Sequence, residues 1–243
     1  QNKERILELE LELKTNLAQD RIAEITLELS VLYETSEPSD IAKAIELINH
    51  YAPEHLELQL NPENLELAKK DIKNAGAIFI GSHLGNLEVC RALGHGRYKT
   101  RINVLVFTHH AVEFNKVMQK INPDANVDLI QATNVTSELA ILIKERIDNG
   151  EILVITGDRT SVNSTGRVIY SDFLGNPAPF SQGPFILASI LDCPVYFLFC
   201  LKEGSRYRII FEHVANSLKF ARKTRQVELS AVIAQYAQRL EHY

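Results

Sequence analysis

The chain has 243 residues and a net charge of −5, with 45% hydrophobic and 23% charged residues, which is ordinary for one large globular domain. No run of about 18 apolar residues occurs, which excludes a membrane-spanning helix within this sequence. The three cysteines are scattered, which predicts reduced, buried thiols in a cytosolic setting, and no cysteine–histidine spacing indicates a zinc site. The chain begins with Gln1 rather than methionine, as a trimmed fragment would.

Charge is distributed unevenly along the chain. Acidic residues dominate the first 70 positions, whereas basic clusters occur at 97–101, 202–208 and 219–225. Such clusters can attract phosphate, an acidic carrier protein or anionic lipid, or they can form a solvated face. The negative net charge and the lack of a recognised motif argue against nucleic-acid binding.

Residues 1–52 are rich in Glu, Leu, Lys and Ala, which predicts an N-terminal helical segment. Leu7–Leu13 alternates with period two, a strand pattern, but the apolar residues that follow continue at helical spacing and favour helix. A break at 36–40 precedes a second helix at about 41–51. These helices either cover the main domain or form a partner surface.

Residues 53–243 alternate between strand and helix patterns. This predicts an α/β domain, a three-layer sandwich whose largely parallel mixed sheet is flanked by helices. The Pro-rich and Gly-rich stretch 173–184 is predicted not to form a regular strand. The predicted strands are 56–60, 77–81, 102–107, 127–131, 151–156, 194–201 and 206–213. The predicted helices are 62–74, 86–94, 111–121, 136–148, 183–191 and 225–242.

The strongest candidate for chemistry follows the first buried strand. His83 lies at its carboxyl edge, and Glu88 follows five residues later at a predicted helix start. A carboxylate beside an imidazole holds its tautomer and makes the other ring nitrogen a usable base. Gly85 and Asn86 permit close backbone approach and a helix cap. The pattern predicts His83 as general base with Glu88 orienting it, against the alternative of a structural histidine at a strand end.

Two later segments are predicted to contribute to the same edge of the sheet. Asp158 and Arg159 follow a strand, where they can contact a phosphate or merely close the turn. Phe173 opens an apolar loop that can line a groove or simply pack, and Gln182 and Gly183 lead from it into a helix. No Gly-x-Ser-x-Gly elbow, P-loop or glycine-rich dinucleotide loop occurs.

Together these segments resemble the glycerolipid-type acyltransferase superfamily. Residues 81–88 are similar to its His-x4-Asp/Glu motif, in the form found in the branch that includes the lipid A biosynthesis acyltransferases. The segments at 157–159 and 173–183 follow in that branch's order. Arg159 and Leu87 stand where the branch commonly has Gln and Trp, so the chain is more similar to a bacterial branch of predicted acyltransferases than to a lipid A enzyme.

The resemblance implies transfer of a fatty acyl group from a thioester, on acyl carrier protein or coenzyme A, to a hydroxyl of a lipid-like or glycolipid-like acceptor. His83 would deprotonate the hydroxyl and Glu88 would orient His83, with no metal or further cofactor. The implied location is the cytoplasmic face of the bacterial inner membrane, by peripheral contact. The implied substrate-binding residues are Gly85, Asn86, Asp158, Arg159, Phe173, Gln182 and Gly183.

Two alternatives to acyl transfer are left open. A thioesterase or other hydrolase would use the same histidine to activate water and would release free acid. A non-catalytic module that binds lipid or carrier protein would use the acidic N-terminal helices as its partner surface.

Overall fold

The computed structural model describes residues 62–85, 100–106, 127–131, 136–160, 167–203 and 206–243, together with the helical residues Arg5, Glu8, Leu9 and Glu12. Beyond these N-terminal residues, the described ranges contain four helices and eight strands. The helices are α1 (Pro62–Ala75), α2 (Ser137–Asp148), α3 (Gly183–Leu191) and α4 (Arg225–His242). The strands are β1 (Ala77–Gly85), β2 (Ile102–Val106), β3 (Val127–Gln131), β4 (Ile152–Thr156), β5 (Val168–Phe173), β6 (Asn176–Ser181), β7 (Val195–Glu203) and β8 (Arg206–Ala215).

Six strands form one mixed sheet in the order β3-β2-β4-β1-β7-β8. All neighbouring pairs are parallel except β7 and β8, which are antiparallel. Parallel neighbours need crossovers over a face of the sheet, which agrees with the alternation of strand and helix along the chain. The predicted α/β class with a largely parallel mixed sheet is confirmed.

The central strand β1 is buried on both faces, as its unbroken apolar start predicts. Ile78 and Ile80 pack into a core with α2, α3 and α4, whereas Ala77 and Phe79 pack on the opposite side with Ala68 of α1. Successive side chains of a strand point to opposite faces, so the sheet separates two helical layers. This is the predicted three-layer arrangement.

The prediction of an irregular loop over 173–184 is wrong for most of that stretch. β5 and β6 form a two-stranded antiparallel hairpin, in which Pro177 pairs with Asp172 and Pro179 with Tyr170. Bonded and non-bonded pairs alternate along an antiparallel ladder, so residues two apart fall in pairs of the same kind. Both prolines can therefore take non-bonded positions, where a missing N–H removes no ladder hydrogen bond.

The other predicted boundaries agree with the described elements to within a few residues, with β1 the main exception. It continues to Gly85 instead of ending at residue 81, because Gly85 pairs with Cys200 of β7 after a bulge. The predicted strand 56–60 and the helices 86–94 and 111–121 lie outside the described residues, as does nearly all of the segment 1–52. The division into two domains at residue 52 stays a prediction.

Candidate functional site

The sheet register brings His83 and Asp158 together at the carboxyl edge. Gly81 of β1 is the parallel partner of Thr156 of β4. His83 lies two residues beyond Gly81, and Asp158 lies two residues beyond Thr156. The two side chains therefore meet where adjacent parallel strands end, the usual place for a ligand site in such sheets.

Asp158 contacts His83 through both carboxylate oxygens. The His83 backbone N–H donates to Oδ2 over 2.6 Å, and ring Nδ1 lies 2.9 Å from Oδ1. The Asp158 side chain is 15% exposed and that of His83 is 41% exposed. The carboxylate is thus sheltered while the imidazole faces solvent, which leaves the ring accessible to a substrate.

The charge state of Asp158 sets the histidine tautomer. Burial alone raises the pKa of the Asp158 carboxyl, but the hydrogen bonds and the charge of His83 outweigh burial, and the pKa is lowered overall. An ionised carboxylate only accepts hydrogen bonds, so Nδ1 carries the proton it shares with Oδ1. The nitrogen with a lone pair is then Nε2, the arrangement of a general base.

The structure shows a carboxylate contact to His83 that was not predicted from the sequence, made by Asp158. Both Asp158 carboxylate oxygens are bonded to His83, and the predicted role of Asp158 in binding substrate stays a prediction. Glu88 and Asn86 lie outside the described residues, so their predicted roles stay predictions.

Gly85 meets a backbone neighbour in the structure. Its φ is +81°, and a Cβ built on it would lie 1.6 Å from the Cys200 carbonyl oxygen. Only glycine fits this close approach of β1 to β7. The observed role of Gly85 is thus to permit strand pairing, and its predicted role in binding substrate is untested.

Of the remaining predicted residues, Arg159 is exposed, whereas Phe173, Gln182 and Gly183 make contacts within the protein. Arg159 is exposed next to Asp158. The ring of Phe173 meets that of Phe180 edge to face at 5.9 Å, so it packs against the core. The Gln182 side-chain amide donates to the Val168 carbonyl over 3.2 Å, and the Gly183 N–H donates to Ser181 Oγ over 3.3 Å. These last contacts join the hairpin to α3, and substrate binding by these residues stays a prediction.

One residue at the site was not singled out from the sequence. Tyr236 of α4 is fully buried, and its hydroxyl donates to the Gly81 carbonyl over 2.7 Å, two residues before His83. The available signal was a tyrosine on the apolar face of an amphipathic helix, where a buried hydroxyl needs a partner. Spacing alone could not identify that partner, because it lies 155 positions away.

The part of the chain that the structure describes contains neither a candidate metal site nor a candidate membrane-spanning helix. No group of three or more His, Cys, Asp or Glu side chains in that part of the chain is arranged to hold a metal ion. None of the helices described is both long and apolar enough to cross a membrane.

Comparison with known proteins points to a family other than the acyltransferases. The family model for histidinol dehydrogenase matches residues 3–87. The histidinol dehydrogenase of Prochlorococcus marinus subsp. pastoris is 32% identical over 107 residues, which are 39% of this chain and 24% of that protein. That of Colwellia psychrerythraea is 41% identical over 69 residues, 28% of this chain and 15% of that protein. The chain thus spans a quarter or less of the length of these relatives.

These matches overturn the predicted acyltransferase family, the acyl-transfer activity and the hydrolase and lipid-module alternatives. The same matches contradict the predicted partners. These were a carrier-protein or coenzyme A thioester, a lipid-like acceptor and a membrane surface. The physical reason is that the resemblance depended on a few residues at strand ends. A histidine after a buried strand and a nearby carboxylate serve many reactions and identify none. The location at the inner membrane stays a prediction.

The dyad formed by His83 and Asp158 lies only partly within the residues that the family model matches. His83 lies within residues 3–87, and Asp158 lies beyond them. Of the six strands in the main sheet, β1 alone begins inside the matched range. The match therefore includes the candidate base and excludes the carboxylate that orients it.

Proposed function

We propose that this chain oxidises the hydroxyl group of a small amino alcohol, with His83 as the base that removes the hydroxyl proton. The observation that carries the proposal is the double contact of Asp158 with His83, which leaves Nε2 as the basic nitrogen on an exposed ring. The partial matches to histidinol dehydrogenases supply the substrate to test first, histidinol.

Oxidation of the alcohol to a carbonyl removes one proton and one hydride. His83 Nε2 takes the hydroxyl proton while the carbon that bears the oxygen gives up a hydride, so a carbonyl forms. Asp158 stabilises the imidazolium that results, because its ionised carboxylate remains bonded to Nδ1–H. A base in this position contributes on the order of 10² to 10⁴ in rate.

The hydride needs an acceptor, and a nicotinamide is the class of acceptor that this chemistry requires. Among the described residues, the glycine that follows His83 most closely is not free to approach a phosphate. Gly85, the glycine nearest after His83, is packed against the Cys200 backbone and leaves no cradle for phosphate. We therefore propose the nicotinamide as a dissociable second substrate and assign no residues to it.

The test is histidinol oxidation by the purified chain with NAD⁺ in solution, followed by NADH absorbance and by mass spectrometry of the product. The wild-type chain should form NADH and an oxidised product in equal amounts. His83→Gln should lower kcat by about 10² to 10⁴. His242→Gln, which replaces an exposed histidine at the end of α4, is the matched control and should keep wild-type turnover.

Two results would refute the proposal. One is a wild-type chain that forms no NADH above the enzyme-free background at any histidinol concentration. The other is a His83→Gln variant with the turnover of His242→Gln, which would show that another group takes the proton.

A further inference from the structure

The Gly81 carbonyl oxygen, two residues before His83, is hydrogen-bonded by two other segments of the chain. It accepts the Gly157 N–H over 2.9 Å and the Tyr236 hydroxyl over 2.7 Å. A carbonyl oxygen has two lone pairs, so both hydrogen bonds are satisfied at one atom. Gly81 precedes His83 by two residues and Gly157 immediately precedes Asp158, so this oxygen ties α4 to both strand ends that carry the dyad.

Packing fixes the position of the Tyr236 ring. The side chain is fully buried, and its ring contacts four phenylalanine rings at centroid distances between 5.1 and 6.2 Å. Such a ring cannot swing away without disturbing several neighbours, because protein interiors are close-packed. The four rings are those of Phe180, Phe185, Phe197 and Phe199.

Gly157 provides the space that Tyr236 needs. A Cβ built on Gly157 would lie 2.9 Å from Ile80 Cγ2 and 3.1 Å from Tyr236 Cζ, closer than carbon atoms normally approach. The absence of a side chain at 157 therefore allows the phenol to reach the Gly81 carbonyl. The four phenylalanine rings and the backbone of Gly157 together fix the position of the Tyr236 side chain and of its hydroxyl.

We propose that Tyr236 is a positioning residue for the His83–Asp158 pair. Its hydroxyl holds the Gly81 carbonyl, and with it the backbone that leads to His83, in the place from which the His83 N–H and ring both reach Asp158. Tyr236 lies behind the strand ends and acts through His83 and Asp158. The catalytic consequence rests on the proposed function, whereas the positioning itself can be measured without any turnover.

The experiment is Tyr236→Phe, which removes the hydroxyl and keeps the ring. The Gly81 carbonyl still accepts the Gly157 N–H, so the variant leaves no buried acceptor without a donor. Amide hydrogen exchange at His83 and the ¹⁵N NMR signal of its Nδ1–H report the two contacts with Asp158. Exchange of the His83 amide should become roughly three- to tenfold faster, the range expected for loss of one net hydrogen bond. In the histidinol assay, kcat should fall while KM stays within about twofold, because binding groups are untouched.

Two further variants separate positioning from general loss of stability. Tyr243→Phe removes another hydroxyl of the same C-terminal segment, where Tyr243 bonds Glu212 over 2.6 Å, and should leave the His83 signals unchanged. Gly157→Ala keeps the Tyr236 hydroxyl but crowds both its ring and Ile80, and should shift the His83 signals in the same direction as Tyr236→Phe does.

The His83 signals test the positioning role of Tyr236 independently of the histidinol assay, which tests the proposed function. The inference is overturned if Tyr236→Phe leaves the His83 amide and Nδ1–H as in the wild type, or if Tyr243→Phe changes them equally. It is supported if the His83 signals change in Tyr236→Phe and Gly157→Ala alone, even where the wild-type chain fails to oxidise histidinol.

Discussion

The Asp158 carboxylate holds His83 by two bonds at once, from the backbone N–H to Oδ2 at 2.6 Å and from ring Nδ1 to Oδ1 at 2.9 Å. The first bond fixes the main chain of β1 and the second fixes the rotation of the ring. A single carboxylate therefore sets both the place and the direction of the imidazole. Such preorganisation is what a general base requires, because the base must already face the proton that it removes.

Asp158→Asn should invert the histidine tautomer. An amide offers one acceptor oxygen and an NH₂ group, so it can accept from only one of the two His83 donors. If its NH₂ faces Nδ1, the imidazole proton moves to Nε2 and the base is lost. We expect ¹⁵N NMR to show protonation of Nε2 at neutral pH, and histidinol turnover to fall well below that of the wild type.

The matched control for this substitution is Asp172→Asn, which removes an exposed carboxylate from β5. It should leave the His83 signals and the turnover as in the wild type. A variant at 158 that retains Nδ1–H and full turnover would contradict the role assigned to Asp158.

The Asp158 carboxylate should make the free energy of unfolding depend on pH in the acidic range. Burial opposes ionisation of Asp158, but the bonds from His83 prevail and the folded-state pKa is lowered. A lowered pKa stabilises the fold above the unfolded-state value, about 3.9 for Asp, and this contribution disappears as the pH falls through the folded-state pKa. The difference in unfolding free energy between the wild type and Asp158→Asn should therefore be largest near neutral pH and shrink below about pH 4.

Urea unfolding at several pH values measures this difference, with Asp172→Asn as the control for removing one negative charge. A difference that stays constant from neutral pH to about pH 3 would show that Asp158 does not lose its interaction with His83 on protonation.

The fold was largely predictable because its central strands are continuous apolar runs and its helices end at recognisable residues. The helix at 137–148, for example, begins after Thr136, whose hydroxyl accepts from the Leu139 N–H, and ends before Asn149 and Gly150. The hairpin was not predictable from proline content, since prolines two apart are tolerated in a two-stranded ladder.

The site was predictable only in part. Strand order along the chain indicated that His83 and Asp158 share one edge of the sheet. It did not indicate that β4 lies directly beside β1, which decides that Asp158 contacts the imidazole. Local spacing favoured Glu88, whose role stays a prediction, but it gave no indication of contacts between adjacent parallel strands, which join residues far apart in sequence. The contact of Tyr236 with Gly81 could not be predicted either, because these residues are also far apart in sequence.

Gly85→Ala should be much more destabilising than Gly175→Ala, although both glycines have positive φ, +81° and +77°. A Cβ at Gly85 would overlap the Cys200 carbonyl oxygen at 1.6 Å, whereas one at Gly175 meets nothing within 4 Å. Backbone strain alone costs roughly 1 to 2 kcal/mol. We expect about that loss for Gly175→Ala and more than about 4 kcal/mol, or failure to fold, for Gly85→Ala. Similar urea midpoints for the two variants would contradict the close approach of β1 and β7.

Cys193 should resist alkylation in the folded protein. Both described cysteines, Cys193 and Cys200, are free and buried, as predicted. Burial raises the pKa of the Cys193 thiol to about 12. Since only the thiolate reacts, iodoacetamide at about pH 8 should modify native Cys193 on the order of 10³ times more slowly than a thiol of ordinary pKa. Peptide mass spectrometry gives the rate for each cysteine separately, and the urea-unfolded chain gives the reference rate. If Cys193 reacted equally fast in the native and the unfolded chain, the segment just before β7 would have to open readily to solvent.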